Sequence, residues 1–132
     1  MKQSPLLAFE STAFVDSPGT DERTNPCIFG QSLALWLSQQ LLSRGFGSGE
    51  IIPEDFGWCV PLASNPHKLY VACSSVQEAA NHWQVFVFAE GGLTSRLLGK
   101  DKSAESVAAA FIAVKELLQH SPQVRGLREE AA

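Results

Sequence analysis

The sequence predicts an α+β domain of two layers, in which an antiparallel sheet of about four strands carries two helices on one face, in the order β-α-β-β-β-α. Three observations predict it. Apolar residues recur at three- and four-residue spacing in two separate stretches, 25–44 and 103–120, which is the helical period. Between them, runs 56–62, 69–73 and 83–89 are short, apolar and rich in aromatic and β-branched residues, with Gly, Pro, Asn and Ser separating them. A further strand-like run, 6–14, precedes the first helix.

In residues 6–14, Leu7, Phe9, Ser11 and Ala13 share one face, and Glu10 and Thr12 share the other. A polar loop with a Pro18-Gly19 turn follows. Asn25 is a good N-cap and Pro26 suits a first helical position, so the first helix is expected to run from there to about Arg44. Phe29, Leu33, Trp36, Leu37 and Leu41 form its apolar stripe, and Gly45 suits the left-handed position beyond its end. Ile51-Ile52 begins a strand that Pro53-Glu54-Asp55 interrupts. Beyond it Phe56, Trp58, Val60 and Leu62 face one way, and Gly57, Cys59 and Pro61 the other. Residues 64–67 make a turn into Leu69–Cys73, and the polar connection 74–82 holds a helical turn near Gln77–Ala80. In Trp83–Ala89, Val85 and Val87 oppose Phe86 and Phe88. Gly91-Gly92 ends this strand, and a loop over 93–102 holds a short helical turn near Leu93–Leu98. The last helix is expected from Ser103, with Glu105 favourable in its first turn, to about His120. Its stripe is Val107, Ala110, Phe111, Val114, Leu117 and Leu118. The ordered core is expected over 6–120, with 121–132 a flexible tail.

With 132 residues, 45% of them apolar and 18% charged, the chain is expected to be one globular domain. Ten Lys and Arg against 14 Asp and Glu leave a net charge of −4, which argues against a surface made for nucleic-acid phosphates or anionic lipid. Cys27, Cys59 and Cys73 are odd in number and form no CxxC pair, as expected of reduced thiols in a bacterial cytoplasm. The start, Met1-Lys2-Gln3-Ser4-Pro5, leads into an apolar run that Glu10 ends, so no signal peptide is expected, and no run has the length of a membrane span.

The motifs of catalysis are missing in the expected contexts. Gly47-Ser48-Gly49 follows a helix and has the wrong spacing for a nucleophile elbow. Neither the glycines at 45, 47 and 49 nor Lys100 and Lys102 fit a dinucleotide or phosphate loop. His67, His82 and His120 lack the spacing of metal ligands relative to the cysteines, so no metal and no cofactor are expected. Trp36, Trp58 and Trp83 could stack on bases, but stacking proteins add a positive groove, and Arg96, Lys100 and Lys102 are diluted by Asp101.

Surface arguments remain. Asp16, Asp21 and Glu22 form one acidic loop, and Glu50, Glu54 and Asp55 another; such loops either confer solubility or steer a basic partner. The fourth strand is apolar on both faces, and Tyr70 and Ala72 add to the face of Phe86 and Phe88. Two helices on one side leave that other face to the tail, the 91–102 loop, a second copy or a foreign protein. The expected contacts are Glu54, Asp55, Trp58, Tyr70, Phe86 and Phe88, in a non-catalytic protein-interaction module of immunity or chaperone-like type, or in a homodimer. The alternative is a small-molecule binder or modest enzyme with a pocket between the first helix and the sheet, using Glu10, Glu54, Asp55, Trp58, Cys59 and His82.

The strings Phe9-Glu10-Ser11-Thr12-Ala13-Phe14, Asn25-Pro26, Pro53-Glu54-Asp55-Phe56-Gly57-Trp58 and Val85-Phe86-Val87-Phe88-Ala89-Glu90 resemble those of small uncharacterised bacterial proteins, mainly proteobacterial. The likeness spans most of 6–120. It implies a stand-alone cytoplasmic domain and carries no activity or functional residue with it.

Overall fold

Residues 82–89 alternate without a break, and the computed structural model places them in the middle of a six-stranded sheet. The structure describes residues 3–16, 19–25, 27–46, 50–62, 68–76, 79–90 and 103–131. In chain order the elements are β1 (Leu6–Glu10), a 3-10 turn (Thr20–Arg23), α1 (Gln31–Ser43), β2 (Ile52–Glu54), β3 (Gly57–Leu62), β4 (Leu69–Ser75), β5 (His82–Ala89), α2 (Ser103–Gln119) and β6 (Arg125–Glu130). The sheet order is β2-β3-β4-β5-β1-β6, with every neighbouring pair antiparallel. The fold is α+β, as expected, with six strands among the described residues instead of about four. No helix among those residues is long and apolar enough to cross a membrane.

Alternation decides the core. Leu7 and Phe9 of β1, Trp58, Val60 and Leu62 of β3, Leu69, Val71 and Cys73 of β4, and Trp83, Val85, Val87 and Ala89 of β5 all point to one side and are buried. Leu33, Leu37 and Leu41 of α1, and Val107, Phe111, Val114 and Leu118 of α2, close over them. Both helices therefore cover the same sheet face.

Two strands were not expected as such. β2 runs through Pro53, which was expected to interrupt it. An edge strand tolerates a proline because one side of its backbone needs no partner. β6 lies in the expected flexible tail. It pairs with β1, Leu7 opposite Glu129 and Ala8 opposite Arg128, with a bulge between Ala8 and Glu10. Leu127 packs against the core, and Lys115 of α2 reaches Glu129 at 3.1 Å. Its charged sequence and its bulge are devices that protect a sheet edge from pairing with other chains.

The first helix starts at Gln31, not at Asn25-Pro26. Cys27 has φ 67°, a left-handed conformation that breaks a helix, and Gly30 forms the N-cap without a side chain of its own. The cap comes from Asp16. Its Oδ2 accepts the N–H groups of Gly30 (2.9 Å) and Gln31 (3.0 Å), and its Oδ1 accepts that of Ser32 (2.9 Å). A carboxylate at the positive end of a helix also opposes the macrodipole. Removing it leaves three N–H groups without that acceptor, so Asp16→Ala is expected to cost about 1–3 kcal/mol. Urea unfolding of the variant checks this, with Asp16→Asn recovering part of the loss. The other end matches expectation: Gly45 has φ 82°, its N–H reaches the Leu42 carbonyl at 3.1 Å, and that of Phe46 reaches Leu41 at 2.9 Å. This pair of bonds is a Schellman motif.

β1 ends at Glu10, short of the expected 14. Ser11 is fully buried, and its hydroxyl accepts the Ala13 N–H at 3.1 Å, turning the chain away from the sheet. The turn at 64–67 and the helical turn near Leu93–Leu98 lie outside the described residues, as does the first half, 77–78, of the one expected at Gln77–Ala80.

Candidate functional site

Strand residues that do not face the helices face away from them, and on the β2–β5 half of the sheet several are aromatic. Pairing places Phe86 beside Ala72 and Phe88 beside Tyr70. On the same side Cys59 is opposite both Ile52 and Ala72, and Glu54 is opposite Gly57. Asp55 and Phe56 form the two-residue connection of the β2–β3 hairpin, and this brings the Phe56 ring onto the sheet face. Its centroid lies 6.5 Å from Phe86 and 6.4 Å from Phe88. Phe86 and Phe88 are 5.9 Å apart, and Tyr70 stacks on Phe88 at 5.2 Å. These separations are those of favourable ring pairs. Phe56 is 44% exposed and Ile52 37%, while Tyr70, Phe86 and Phe88 are half-buried. Neither α1 nor α2 lies over this face.

Acidic groups border the patch. Glu54, Asp55 and Glu90 are exposed, and the Tyr70 hydroxyl donates to Glu90 Oε2 at 3.4 Å. The Tyr70 phenol is pushed above its ordinary range by partial burial first, then by the Glu90 charge and hydrogen bond, with Cys59 and Glu54 adding to it. Lys68 lies at the same end, its carbonyl accepting the Glu90 N–H at 2.9 Å. At the far end, Glu10 Oε1 meets His82 Nε2 at 3.0 Å, and Arg128 is held by Glu130 at 2.8 Å.

Five of the six expected contacts, Glu54, Asp55, Tyr70, Phe86 and Phe88, thus lie on or beside one surface. Trp58 does not. It points to the helix side, is 1% exposed, and sits under the Arg23 guanidinium at 5.4 Å. Its parity follows Val60 and Leu62, so it is a core residue, and its indole N–H has no hydrogen-bond partner among the described residues. Phe56, grouped with Trp58 by simple alternation, lies on the opposite face because the hairpin turn resets the alternation. The turn residues Pro53-Glu54-Asp55 were the signal for it.

The alternative constellation does not converge. Glu10 and His82 pair across β1 and β5, Glu54 and Cys59 lie on β2 and β3, and β4 stands between. Of the set only Trp58 faces the helices. Among the described residues no three His, Cys, Asp or Glu side chains gather to hold a metal ion. The first acidic loop is committed to structure, with Asp16 capping α1 and Asp21 Oδ2 accepting the Cys27 N–H at 2.9 Å.

The thiols differ sharply. Cys27 is exposed, whereas Cys59 and Cys73 are buried. Burial, with help from Glu54, pushes the Cys59 thiol up to about 12, and burial and then Cys59 push Cys73 upward too. A thiol that ionises more readily when unfolded stabilises the fold fully below its unfolded value of 9.0, and the contribution is lost as pH rises from there toward 12. The urea midpoint is therefore expected to fall above pH 9, with Cys59→Ala flattening the decline. In the native state, alkylating reagents are expected to modify Cys27 alone.

Comparison with protein-family models, with curated proteins and with solved structures finds no match for this chain.

Proposed function

We propose that this chain is a non-catalytic protein-interaction module of the bacterial cytoplasm, of immunity or chaperone-like type. The sheet face turned away from the helices takes an apolar segment of another protein that is flanked by Lys or Arg. The observation that carries the reading is the cluster of Phe56, Tyr70, Phe86 and Phe88 on a face the two helices do not cover. Ring clusters of this kind serve as the anchoring centre of interfaces. Glu54, Asp55 and Glu90 around it favour a basic partner, in keeping with a net charge of −4.

Selection from a displayed peptide library tests it. Recovered peptides are expected to combine aromatic or aliphatic residues with Lys or Arg, to bind more weakly as salt is added, and to lose binding to Phe86→Ser. Recovery that ignores Phe86→Ser refutes the reading. A dimer in light scattering that Phe86→Ser dissociates replaces the foreign segment by a second copy of this chain.

A further inference from the structure

β6 is an outer strand with little of its own to hold it in place. Arg125, Arg128, Glu129 and Glu130 are charged, and none of its residues is buried. Leu127 is the apolar side chain that it sets against the core, and Val124 just before it is half-buried. β1 is its strand neighbour, Gly126 takes φ 63° at the bulge, and Glu129 meets Lys115 of α2 at 3.1 Å near the surface. An edge strand with this little burial opens locally, at a free energy below that of unfolding the whole domain.

β1 is its opposite. Leu7, Ala8 and Phe9 are buried, with β5 on one side and β6 on the other. When β6 leaves, the outer N–H and C=O groups of an apolar strand face water, and such an edge takes up another strand. β5 still holds β1 in register, with Leu7 opposite Val85 and Phe9 opposite Trp83, so the freed edge keeps its shape.

The strand that fits this edge is the one that lies on it. Leu6, Leu7 and Ala8 align with Glu130, Glu129 and Arg128, the bulge absorbs the extra residue before Arg125, and Leu127 and Glu129 reach the core and Lys115. A second copy carries the same strand and reproduces each of these contacts, so only the link from α2 differs between the two forms. That link, 120–124, is closed by the Ser121 N–H on the Leu118 carbonyl at 3.2 Å and the Val124 N–H on the Ser121 carbonyl at 3.1 Å. Pro122 has no N–H with which to prolong the helix into it. Released and extended, 120–124 spans about 17 Å, which carries β6 away from its own β1. Exchange in both directions closes a two-fold dimer and leaves neither β1 edge bare. We infer that β6 exchanges between two copies of this chain, each lending it to the β1 of the other. The exchange does not involve the aromatic face.

Disulfide capture tests this in the full chain. Cys27→Ser is the background, because Cys59 and Cys73 are buried. One copy carries Ala8→Cys and the other Arg128→Cys, at positions that face each other across β1 and β6. Oxidised together at about 1 mM protein, the two are expected to form a disulfide-linked heterodimer whose yield rises with concentration. Ile112→Cys mixed with Arg128→Cys, at exposed positions on α2 and β6, measures chance collision, and the first mixture is expected to exceed it at least about fivefold. Phe86→Ser in both copies is expected to leave the yield unchanged, which separates exchange from association through the aromatic face. In the unsubstituted chain, the hydrogen-bonded amides of 127–130 are expected to exchange with solvent at least about a hundredfold faster than those of 85–87, at a rate that low urea does not alter. A heterodimer yield no higher than that of the Ile112→Cys mixture, or β6 amides as slow as those of β5, overturns the inference.

Discussion

Gly57→Ala is expected to cost at least about 3 kcal/mol, or to abolish folding, in urea or thermal unfolding. Gly57 has φ 149°, which a residue with a side chain rarely adopts, and a Cβ there would sit 2.3 Å from the Cys73 carbonyl oxygen and 2.9 Å from Ser74 Cβ. The obstruction is backbone of the neighbouring strand, so no side-chain rotation relieves it. Only separation of β3 from β4 would, and that opens the sheet beside Val60 and Val71 in the core. Gly45 separates the two causes. It also has a positive φ, 82°, but a Cβ there meets nothing within 4 Å. Gly45→Ala therefore reports backbone strain alone, about 1 kcal/mol. A Gly57→Ala loss no larger than that of Gly45→Ala would mean that the close approach of β3 to Cys73 is not as described.

The elements that short-range physics specifies were legible in the sequence. α2 follows from the stripe Val107 to Leu118, and β4 and β5 follow from alternation in 69–73 and 83–89. The aromatic face followed from the same parity, because Phe86 and Phe88 must oppose Val85 and Val87. What was not legible depends on contacts distant along the chain. The start of α1 looked local, at Asn25-Pro26, but its cap is Asp16, 14 residues before Gly30. β6 has few apolar residues of its own, and it is a strand because β1, at the opposite end of the sequence, offers it a free edge. Trp58, one of the expected contacts, belongs to the core, and its spacing from Val60 and Leu62 is the sequence sign of this. Phe56 lies in the turn before β3, where the alternation of Trp58, Val60 and Leu62 does not extend.

Phe56→Ser separates the two roles an aromatic cluster can have. The ring is 44% exposed and sits in a hairpin turn, so its removal is expected to cost no more than about 1 kcal/mol of stability. If the patch is a docking surface, the same change removes an anchor that becomes fully buried only in the complex. Affinity for the basic, apolar peptide is then expected to fall by about 2 kcal/mol, roughly thirtyfold. Val87→Ala is the counterpart on the other side of the sheet. Val87 is 0% exposed beneath the helices, so its truncation is expected to lower stability by about 2 kcal/mol while leaving peptide affinity unchanged. Both readings predict some loss in each variant, but only the docking reading predicts that the two losses appear in different measurements. Should Phe56→Ser reduce stability as much as Val87→Ala and leave affinity intact, the four rings are a second hydrophobic core, and the partner must bind elsewhere on the molecule.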